Sequence, residues 1–312
     1  MTVQTIPTTS QVIIGASLDK GSNGLEKSHS EAFRYYKMAA DQNNALGQAM
    51  VGSFYLLGKG GLTKDRGKAF HYYKLSADQG NPTGQALLGS LLLGGDQKNT
   101  IEAKRLCELS AQEGNHVGQY CLGAIYENGM AEVQKDLVMA LNYYKMSATK
   151  NNPSSQWALG RFYEIGQGGL NKDLIEAGRL YKLSADQGFS FALAALGRMY
   201  DNGIGGFPKN QEKAVELYKL SANSGNPNGQ AYLAYKYQTG SGGLQRDEVE
   251  AVRLYKLASE QNSAFAKNNL GAAYEFGQGG LKKDLETAVH YYKDAEALGK
   301  VCISRQIDEL NG

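Results

Sequence analysis

Disulfide bonding, secretion and membrane insertion leave marks that this 312-residue sequence lacks. It contains only three cysteines, Cys107, Cys121 and Cys302, and no Asn-x-Ser/Thr acceptor whose middle residue is other than Pro, which favours a reducing compartment. The N-terminal residues MTVQTIPTTS contain no basic segment followed by an apolar one, so they do not resemble a signal peptide. The longest apolar stretch, LLGSLLLGG at 87–95, is too short and too rich in glycine to cross a bilayer. We therefore expect a cytoplasmic protein that is neither secreted nor inserted in a membrane.

An excess of charge of either sign is also absent, since 33 basic residues stand against 31 acidic ones. This balance predicts neither nucleic acid nor a membrane as a partner. Histidine is limited to His29, His71, His116 and His290. These residues show no metal-ligand spacing, and we expect them to be exposed to solvent. Cys107 and Cys121 have no His or Asp at a spacing typical of a nucleophilic site. The sequence thus predicts no catalytic residue, no metal, no cofactor and no small-molecule substrate.

Glycine, by contrast, is abundant, with 39 residues, and its spacing reveals an internal repeat. The segment RLYKLSADQG at 179–188 echoes HYYKLSADQG at 71–80, and weaker copies recur at a step of 37 residues. The third copy has lost three loop residues. The predicted repeats are 7–43, 44–80, 81–114, 115–151, 152–188, 189–225, 226–262 and 263–299. Residues 1–6 would form an N-terminal arm, and 300–312 a C-terminal capping helix with Ile303, Ile307 and Leu310 on its inner face.

Helix ends and helix starts recur at fixed positions, which we number 1 to 37 within each repeat. Gly or Asn at position 37 and Gly at position 15, including Gly95, accept the left-handed conformation that closes a helix. Position 22 carries preferred N-cap residues: Ser28, Asp65, Asn99, Asp136, Asp173, Asn210, Asp247 and Asp284. A Glu three residues later predicts a capping box in four repeats: Glu31, Glu102, Glu176 and Glu250. We predict helix A at positions 2–14 and helix B at positions 23–36.

Small and apolar residues also recur at fixed positions. Position 8 is Leu, Ile or Val, position 9 is Gly except for Ala234, position 26 is Ala, and position 30 is Tyr except for Cys107. Small residues at positions 9 and 26 allow helices to approach closely, while Leu and Tyr fill the space beside them. Each repeat can bury its apolar face only against its neighbours. The pattern therefore predicts an all-α solenoid of αα-hairpin repeats.

Residues 152–188, NPSSQWALGRFYEIGQGGLNKDLIEAGRLYKLSADQG, resemble a Sel1-like repeat, in which LG-x-x-Y-x-x-G-x-G is followed by a polar cap and A-x-x-x-Y-x-x-x-A. All eight repeats resemble this family, although the first departs from the pattern at positions 12 and 16–19. The resemblance implies a right-handed, TPR-like superhelix and a non-catalytic scaffold or adaptor for other proteins. A cysteine-rich branch of the family, associated with β-lactam binding, pairs two Cys within each repeat and is not matched here. A hydrolase of that branch is the alternative from the enzyme class.

The segment GQGGLNKD at 166–173, which has close copies in four other repeats, has the composition of a phosphate-binding loop. A Walker-type loop requires G-x-x-x-x-G-K-S/T after a strand, and neither feature is present. We therefore interpret the segment as a turn in which Gly166 ends helix A, Leu170 packs on the core and Asp173 begins helix B.

Basic residues recur along helix B, with Lys at position 31 in seven repeats and Arg at position 28 in four. A row of cations offers nucleic-acid binding as a further alternative. Acidic residues one helical turn away predict ion pairs that neutralise most of this row, each contributing about 0.2–0.5 kcal/mol. The predicted pairs are Glu31–Arg34, Glu102–Arg105, Glu176–Arg179, Glu250–Arg253, Lys37–Asp41, Lys74–Asp78, Lys182–Asp186 and Lys256–Glu260. We expect helix B to present a solvated ion-pair face.

Variation concentrates on one stripe of helix A, at positions 6, 10 and 13, opposite the predicted core. In the superhelix of the family this stripe would face the concave side. It carries Trp, Tyr and Arg, the residue types enriched at binding hot spots. We predict that another protein or a peptide binds there, through Tyr120, Glu127, Trp157, Arg161, Glu164, Arg198, Asp201, Tyr235 and Gln238. Repeats 2 and 3 place Leu56 and Leu93 in the stripe, which leaves open whether these leucines pack between helices or form a second contact patch.

Overall fold

Sixteen α-helices and no strand make up the part of the chain that the computed structural model describes, residues 6–93 and 95–298. The helices are α1 (Thr8–Lys20), α2 (His29–Asp41), α3 (Ala45–Leu57), α4 (Arg66–Asp78), α5 (Pro82–Leu92), α6 (Gln97–Gln112), α7 (His116–Asn128), α8 (Leu137–Ala148), α9 (Pro153–Ile165), α10 (Leu174–Asp186), α11 (Ser190–Asn202), α12 (Gln211–Asn223), α13 (Pro227–Thr239), α14 (Glu248–Glu260), α15 (Ala264–Phe276) and α16 (Leu285–Ala297). Odd-numbered helices are the predicted helix A, and even-numbered helices are helix B. The predicted all-α repeat fold is therefore confirmed.

Contacts divide the chain into two compact bodies, Met1–Ser155 and Gln156–Gly312, which we call the first body and the second body. Within each body, consecutive helices pack on each other. Helix A of one repeat also contacts helix A of the next, as α11 does with α13 in the second body. The predicted capping helix at 300–312 and residues 1–5 of the predicted arm lie outside the described residues.

The glycine-rich segment at 166–173 is a turn between α9 and α10, as predicted. Gly166 has a φ of 78°, and its N–H donates to the carbonyl of Phe162, which closes α9. The N–H of Leu170 donates to the carbonyl of Gln167 within the turn. The Asp173 carboxylate then accepts hydrogen bonds from two N–H groups in the first turn of α10. The backbone N–H groups of this segment thus take part in ending one helix and in starting the next.

The capping boxes are formed only in part, which corrects the prediction. The N–H of Asp173 donates to the carbonyl of Tyr163 at 2.8 Å, so it does not need the Glu176 side chain. Glu176 instead binds the Arg179 guanidinium through two hydrogen bonds of 2.7 and 2.6 Å. The same backbone bond recurs from Asp65 to Tyr55, Asp136 to Tyr126, Asn210 to Tyr200, Asp247 to Tyr237 and Asp284 to Tyr274. It fixes the start of helix B to the end of helix A.

The third repeat departs from the predicted helix ends because its loop is shorter. Helix α5 ends at Leu92, and its C-cap is Leu93, which is extended with a φ of −60°, so Gly95 is not the residue that closes the helix. Helix α6 begins at Gln97 and is capped by Asp96, whose carboxylate accepts a hydrogen bond from the Asn99 N–H at 2.8 Å. The prediction of Asn99 as the cap, and with it a box at Glu102, was wrong. An equally good cap residue three positions earlier starts the helix first.

Tyrosines at position 30 fill the core of the repeats and face the glycines at position 9. A Cβ on Gly197 would lie 2.6 Å from the Tyr218 ring, and Gly160 faces Tyr181 in the same way. The third repeat replaces this Tyr by Cys107, which is buried with Cys121. A hydrogen bond with Cys121, together with burial, raises the pKa of the Cys107 thiol.

Seven of the eight predicted ion pairs on helix B are present. Arg253 and Glu250, for example, approach to 2.7 Å, and Lys74 and Asp78 to 2.9 Å. Lys256 and Glu260 form no such pair in the described part of the chain. The row of cations is therefore largely neutralised, as expected.

The histidines follow the prediction only in part. His71 and His290 are exposed, whereas His29 and His116 are half-buried. His29 bonds Asp19 at 2.8 Å and His116 bonds Asn152 at 2.8 Å. Exposure was the wrong expectation for these two, because each has a polar partner that satisfies a ring nitrogen.

Candidate functional site

Helix-A side chains of repeats 5 to 7 surround a cavity of about 420 Å³ in the second body. Its lining consists of Trp157, Arg161, Glu164, Tyr181, Phe191, Ala194, Ala195, Arg198, Asn228 and Tyr232. A neighbouring opening shares Arg161, Glu164 and Arg198 and adds Ile165, Lys172, Leu174 and Ile204. Four of the predicted partner-binding residues therefore lie together around one cavity.

An aromatic cluster forms one wall of the cavity. The Trp157 ring centroid lies 5.8 Å from that of Phe189 and 5.2 Å from that of Phe191, and the two phenylalanine rings are 5.7 Å apart. The Arg161 guanidinium lies over the Trp157 ring, 5.0 Å from the ring centroid, in cation–π geometry. Phe191 is 36% exposed. The cluster combines an apolar surface that is open to solvent with a fixed cation.

Glu164 connects the core of its own repeat to the next repeat. The buried Tyr181 hydroxyl donates to its carboxylate at 2.7 Å. The Arg198 guanidinium donates to its other oxygen. Burial and the charge of Glu164 raise the pKa of Tyr181, while burial lowers the pKa of Arg198 and the ion pair with Glu164 outweighs that effect. Both side chains of the pair are therefore held in place in the lining of the cavity.

Asp201 repeats this arrangement one repeat later. Its carboxylate accepts a hydrogen bond from Lys236 at 2.6 Å and one from the Tyr218 hydroxyl at 3.5 Å. Lys236 occupies position 11, where the two preceding repeats carry the buried Phe162 and Met199. Its side chain is only 4% exposed, so the ion pair lies largely inside the protein.

Tyr235 and Gln238, also predicted as partner-binding, lie on α13 but do not line the cavity. Gln238 accepts a hydrogen bond from the buried Tyr255 hydroxyl at 3.0 Å. Tyr235 is 44% exposed, and its ring centroid lies 6.2 Å from that of Phe265. Tyr235 thus contributes to an exposed aromatic pair beside the cavity, while Gln238 satisfies a core hydroxyl.

Tyr120 and Glu127, the remaining predicted residues, belong to the first body. Glu127 accepts a hydrogen bond from the Tyr144 hydroxyl at 2.7 Å, and the Tyr120 and Tyr144 ring centroids are 5.8 Å apart. Glu127 therefore has the same relation to its core tyrosine as Glu164 has in the second body.

Leu56 and Leu93 at the same stripe position are half-buried and pack on the apolar cores of their repeats. A leucine cannot accept a hydrogen bond, so the hydroxyl of Tyr73 donates to Ser53 at 3.1 Å instead. In the third repeat Cys107 replaces the tyrosine, and no hydroxyl is left to satisfy. The type of residue at position 13 therefore varies with the group that is buried at position 30.

The sequence interpretation missed several residues of this surface. Phe191 and Phe265 occupy position 3, one helical turn before the predicted stripe, and Tyr232 occupies position 7. The Tyr232 and Phe265 ring centroids are 5.9 Å apart. Extending the spacing of positions 13, 10 and 6 by one further turn leads to position 3, so the two phenylalanines had a detectable signal.

Within residues 6–93 and 95–298, no group of three or more His, Cys, Asp or Glu is placed to hold a metal ion. Over the same residues, every helix is too short or too polar to span a bilayer.

Comparison with solved structures identifies proteins of similar fold. A protective antigen of uropathogenic Escherichia coli, c5321, which displays an SLR fold, is 27% identical over 94% of this chain, with a TM-score of 0.50. The chain spans 62% of that protein's length. A Sel1 repeat protein from Oxalobacter formigenes is 22% identical, with a TM-score of 0.55, and the match covers 97% of this chain and 86% of the other. No curated protein matches the sequence.

Eight consecutive Sel1 repeats match the sequence, at 10–44, 45–81, 82–115, 116–152, 153–189, 190–226, 227–263 and 264–300. Each of these repeats begins one residue after the corresponding predicted repeat, except the first, which begins three residues later. The matches run almost without interruption through both bodies. The chain belongs to the Sel1 repeat family.

Proposed function

We propose that the protein is a non-catalytic, cytoplasmic scaffold whose helix-A surface in repeats 5 to 7 binds a segment of another protein. Sel1 repeat proteins commonly mediate protein–protein interactions. The observation that supports this surface is the cavity in which Trp157 and Phe191 stand beside Arg161 and Arg198. Trp and Arg dominate the energetics of many protein interfaces, especially in pockets that exclude water.

The rest of the helix-A surface supports the same proposal. Tyr235 and Phe265 extend the aromatic surface beyond the cavity, and both are more than one third exposed. Asp201 and Gln238 would act mainly by supporting the surface, because each accepts a hydrogen bond from a core tyrosine. We propose no nucleic-acid partner, because the helix-B cations are largely paired, and the proposal includes no membrane or small molecule.

The test is a comparison of separate Trp157→Ala and Arg161→Ala variants. A partner captured by the wild-type protein would be purified and titrated against each variant by calorimetry. We expect each variant to lose at least about tenfold in affinity, the scale of a hot-spot residue. Arg253→Ala is the matched control, because it removes an arginine from helix B of the same body. Unchanged affinity in both cavity variants, with helix content intact, would refute the proposal.

A further inference from the structure

The lining of the cavity has hydrogen-bond donors that no described residue uses. Arg198 donates to Glu164 through one terminal nitrogen, and its other N–H groups bond no acceptor among the described residues. Its side chain is 29% exposed, so these donors are open to a ligand. The guanidinium fork is suited to a carboxylate, which it can bind through two parallel hydrogen bonds.

Tyr232 contributes a second donor to the same cavity. Its hydroxyl has no hydrogen-bond partner in the part of the chain that the structure describes, although the ring packs on Tyr218 at a centroid distance of 5.2 Å. Burial raises the pKa of Tyr232, and the charge of Arg198 offsets only part of this. The hydroxyl therefore stays protonated near neutral pH and is able to donate. Other tyrosines at this surface, such as Tyr181, already have an acceptor.

The charges around the cavity and the adjoining opening favour an acidic ligand. Among their charged lining residues, Arg198 is paired with Glu164, and Lys172 adds a further cation at the adjoining opening. Lys172 is exposed and forms no ion pair with any described residue. A ligand carboxylate would therefore meet the positive charge of Lys172 at the adjoining opening and the donors of Arg198 in the cavity.

We infer that this cavity recognises an acidic side chain, Asp or Glu, next to a bulky apolar side chain in a segment of the partner protein. The carboxylate accepts hydrogen bonds from Arg198 and Tyr232, and the apolar side chain packs on Trp157 and Phe191. This inference rests on the proposed function and specifies the chemistry of the partner. It assigns binding to Tyr232, which lies outside the stripe predicted from the sequence.

The only tryptophan of the chain, Trp157, provides a direct readout, because it lines the cavity. The probes are three capped six-residue peptides without Trp or Tyr. Each contains a central Phe–Leu pair flanked on both sides by two Asp, two Asn or two Lys residues. Binding to the full chain is followed by Trp157 fluorescence at low ionic strength, where charge contributes most. We expect the Asp peptide to bind at least about tenfold more tightly than the Asn peptide, and the Lys peptide to bind most weakly.

Tyr232→Phe removes only the hydroxyl and leaves the packed ring. We expect this variant to weaken the Asp peptide by about tenfold, the loss of a hydrogen bond to a charged group, and to leave the Asn peptide unchanged. Tyr237→Phe is the matched control, because it makes the same change on the same helix outside the cavity lining. It should alter neither affinity.

Three results would overturn the inference, and they differ in what they imply for the proposed function. Binding of the Asn or Lys peptide as tight as that of the Asp peptide, or an unchanged Asp affinity in Tyr232→Phe, refutes the carboxylate site but not the proposed binding of a partner segment at the cavity. No response of Trp157 to any of the three peptides refutes both.

Discussion

Replacing Glu113 by Gln is expected to stabilise the protein, because it completes a side-chain pair that other repeats contain. In repeats 1, 2, 5 and 7, a Gln at position 36 donates from its Nε2 to the Oε1 of a buried Gln at position 5. The pairs and their distances are Gln42–Gln11 at 3.2 Å, Gln79–Gln48 at 2.7 Å, Gln187–Gln156 at 2.8 Å and Gln261–Gln230 at 3.0 Å. The pair joins the end of helix B to the start of helix A within one repeat.

Repeats 3 and 4 lack this pair and show the consequence. Position 36 is Glu113 in repeat 3 and Lys150 in repeat 4. A carboxylate has no proton to donate, and Lys150 donates instead to the carbonyl of Gly114. The Oε1 atoms of Gln85 and Gln119 are accordingly buried without a hydrogen-bond partner. In the described part of the chain, no other buried polar side-chain atom lacks a partner.

The expected gain follows from the cost of such an atom. A buried acceptor without a donor costs about 1–3 kcal/mol, and a restored neutral hydrogen bond returns about 1 kcal/mol net. Glu113 is also the C-cap of α6, where removing a negative charge adds about 0.3–1 kcal/mol. Glu113→Gln should therefore raise the free energy of unfolding by about 1–2 kcal/mol. The double variant with Lys150→Gln should gain less than about 1 kcal/mol more, because it also removes the hydrogen bond from Lys150 to the Gly114 carbonyl.

Urea titration followed by circular dichroism measures these changes. Glu260→Gln is the matched control, because Glu260 ends α14 and makes no ion pair with a described residue, so it reports the helix-dipole effect alone. The reverse change, Gln187→Glu, should destabilise the protein by removing the donor to Gln156. If Glu113→Gln gains no more than Glu260→Gln, the buried Oε1 of Gln85 carries no measurable cost and the reasoning fails.

Two further predictions concern the core tyrosines. Gly197→Ala should lower the free energy of unfolding by about 1–3 kcal/mol through overpacking, because a Cβ would lie 2.6 Å from the Tyr218 ring. The exposed Gly67, whose Cβ would meet nothing closer than 3.4 Å, serves as control: Gly67→Ala should be neutral or stabilising, and equal thermal stabilities would contradict the packing argument. Stability should also fall above pH 10, because burial and, to a lesser extent, the charge of Asp19 raise the pKa of Tyr36 from 10.0 to about 12. The tyrosine hydroxyl loses its proton at lower pH in the unfolded chain than in the folded one, so Tyr36 alone costs about 2 kcal/mol by pH 12. Circular dichroism across this range, compared with Tyr36→Phe, checks the effect, and equal alkaline stability of the two proteins would exclude it.

Local signals made the fold predictable. Caps, helix-closing residues and helical ion pairs each depend on neighbours within a few residues, and the repeat presents them eight times. The prediction failed where one copy lost that regularity: Asp96 replaced Asn99 as a cap once the loop had shortened. It failed again at the capping boxes, because the competing acceptor for the Asp173 N–H lies on the preceding helix.

The candidate site was less predictable, because its key contacts link residues far apart in the sequence. The bond from Tyr181 to Glu164 spans 17 residues, and the pair of Arg198 with Glu164 spans 34. The sequence did contain part of this information. In the repeat whose position 30 is Cys107 rather than Tyr, position 13 is Leu93 rather than a hydrogen-bond acceptor. In contrast, only the three-dimensional structure shows that the Tyr232 hydroxyl has no hydrogen-bond partner among the described residues.

The bonds of Glu164 and Asp201 also determine how such repeats can be recombined. Glu164, Tyr181 and Arg198 form one bonded set, and Asp201, with Tyr218 and Lys236, forms the next. A segment excised at the repeat boundaries would separate each carboxylate from its cation. The segment 200–236 has the length of one repeat and contains Asp201, Tyr218 and Lys236 together. Recombination of natural or designed arrays should therefore succeed at joints inside helix A more readily than at joints in the connecting turns.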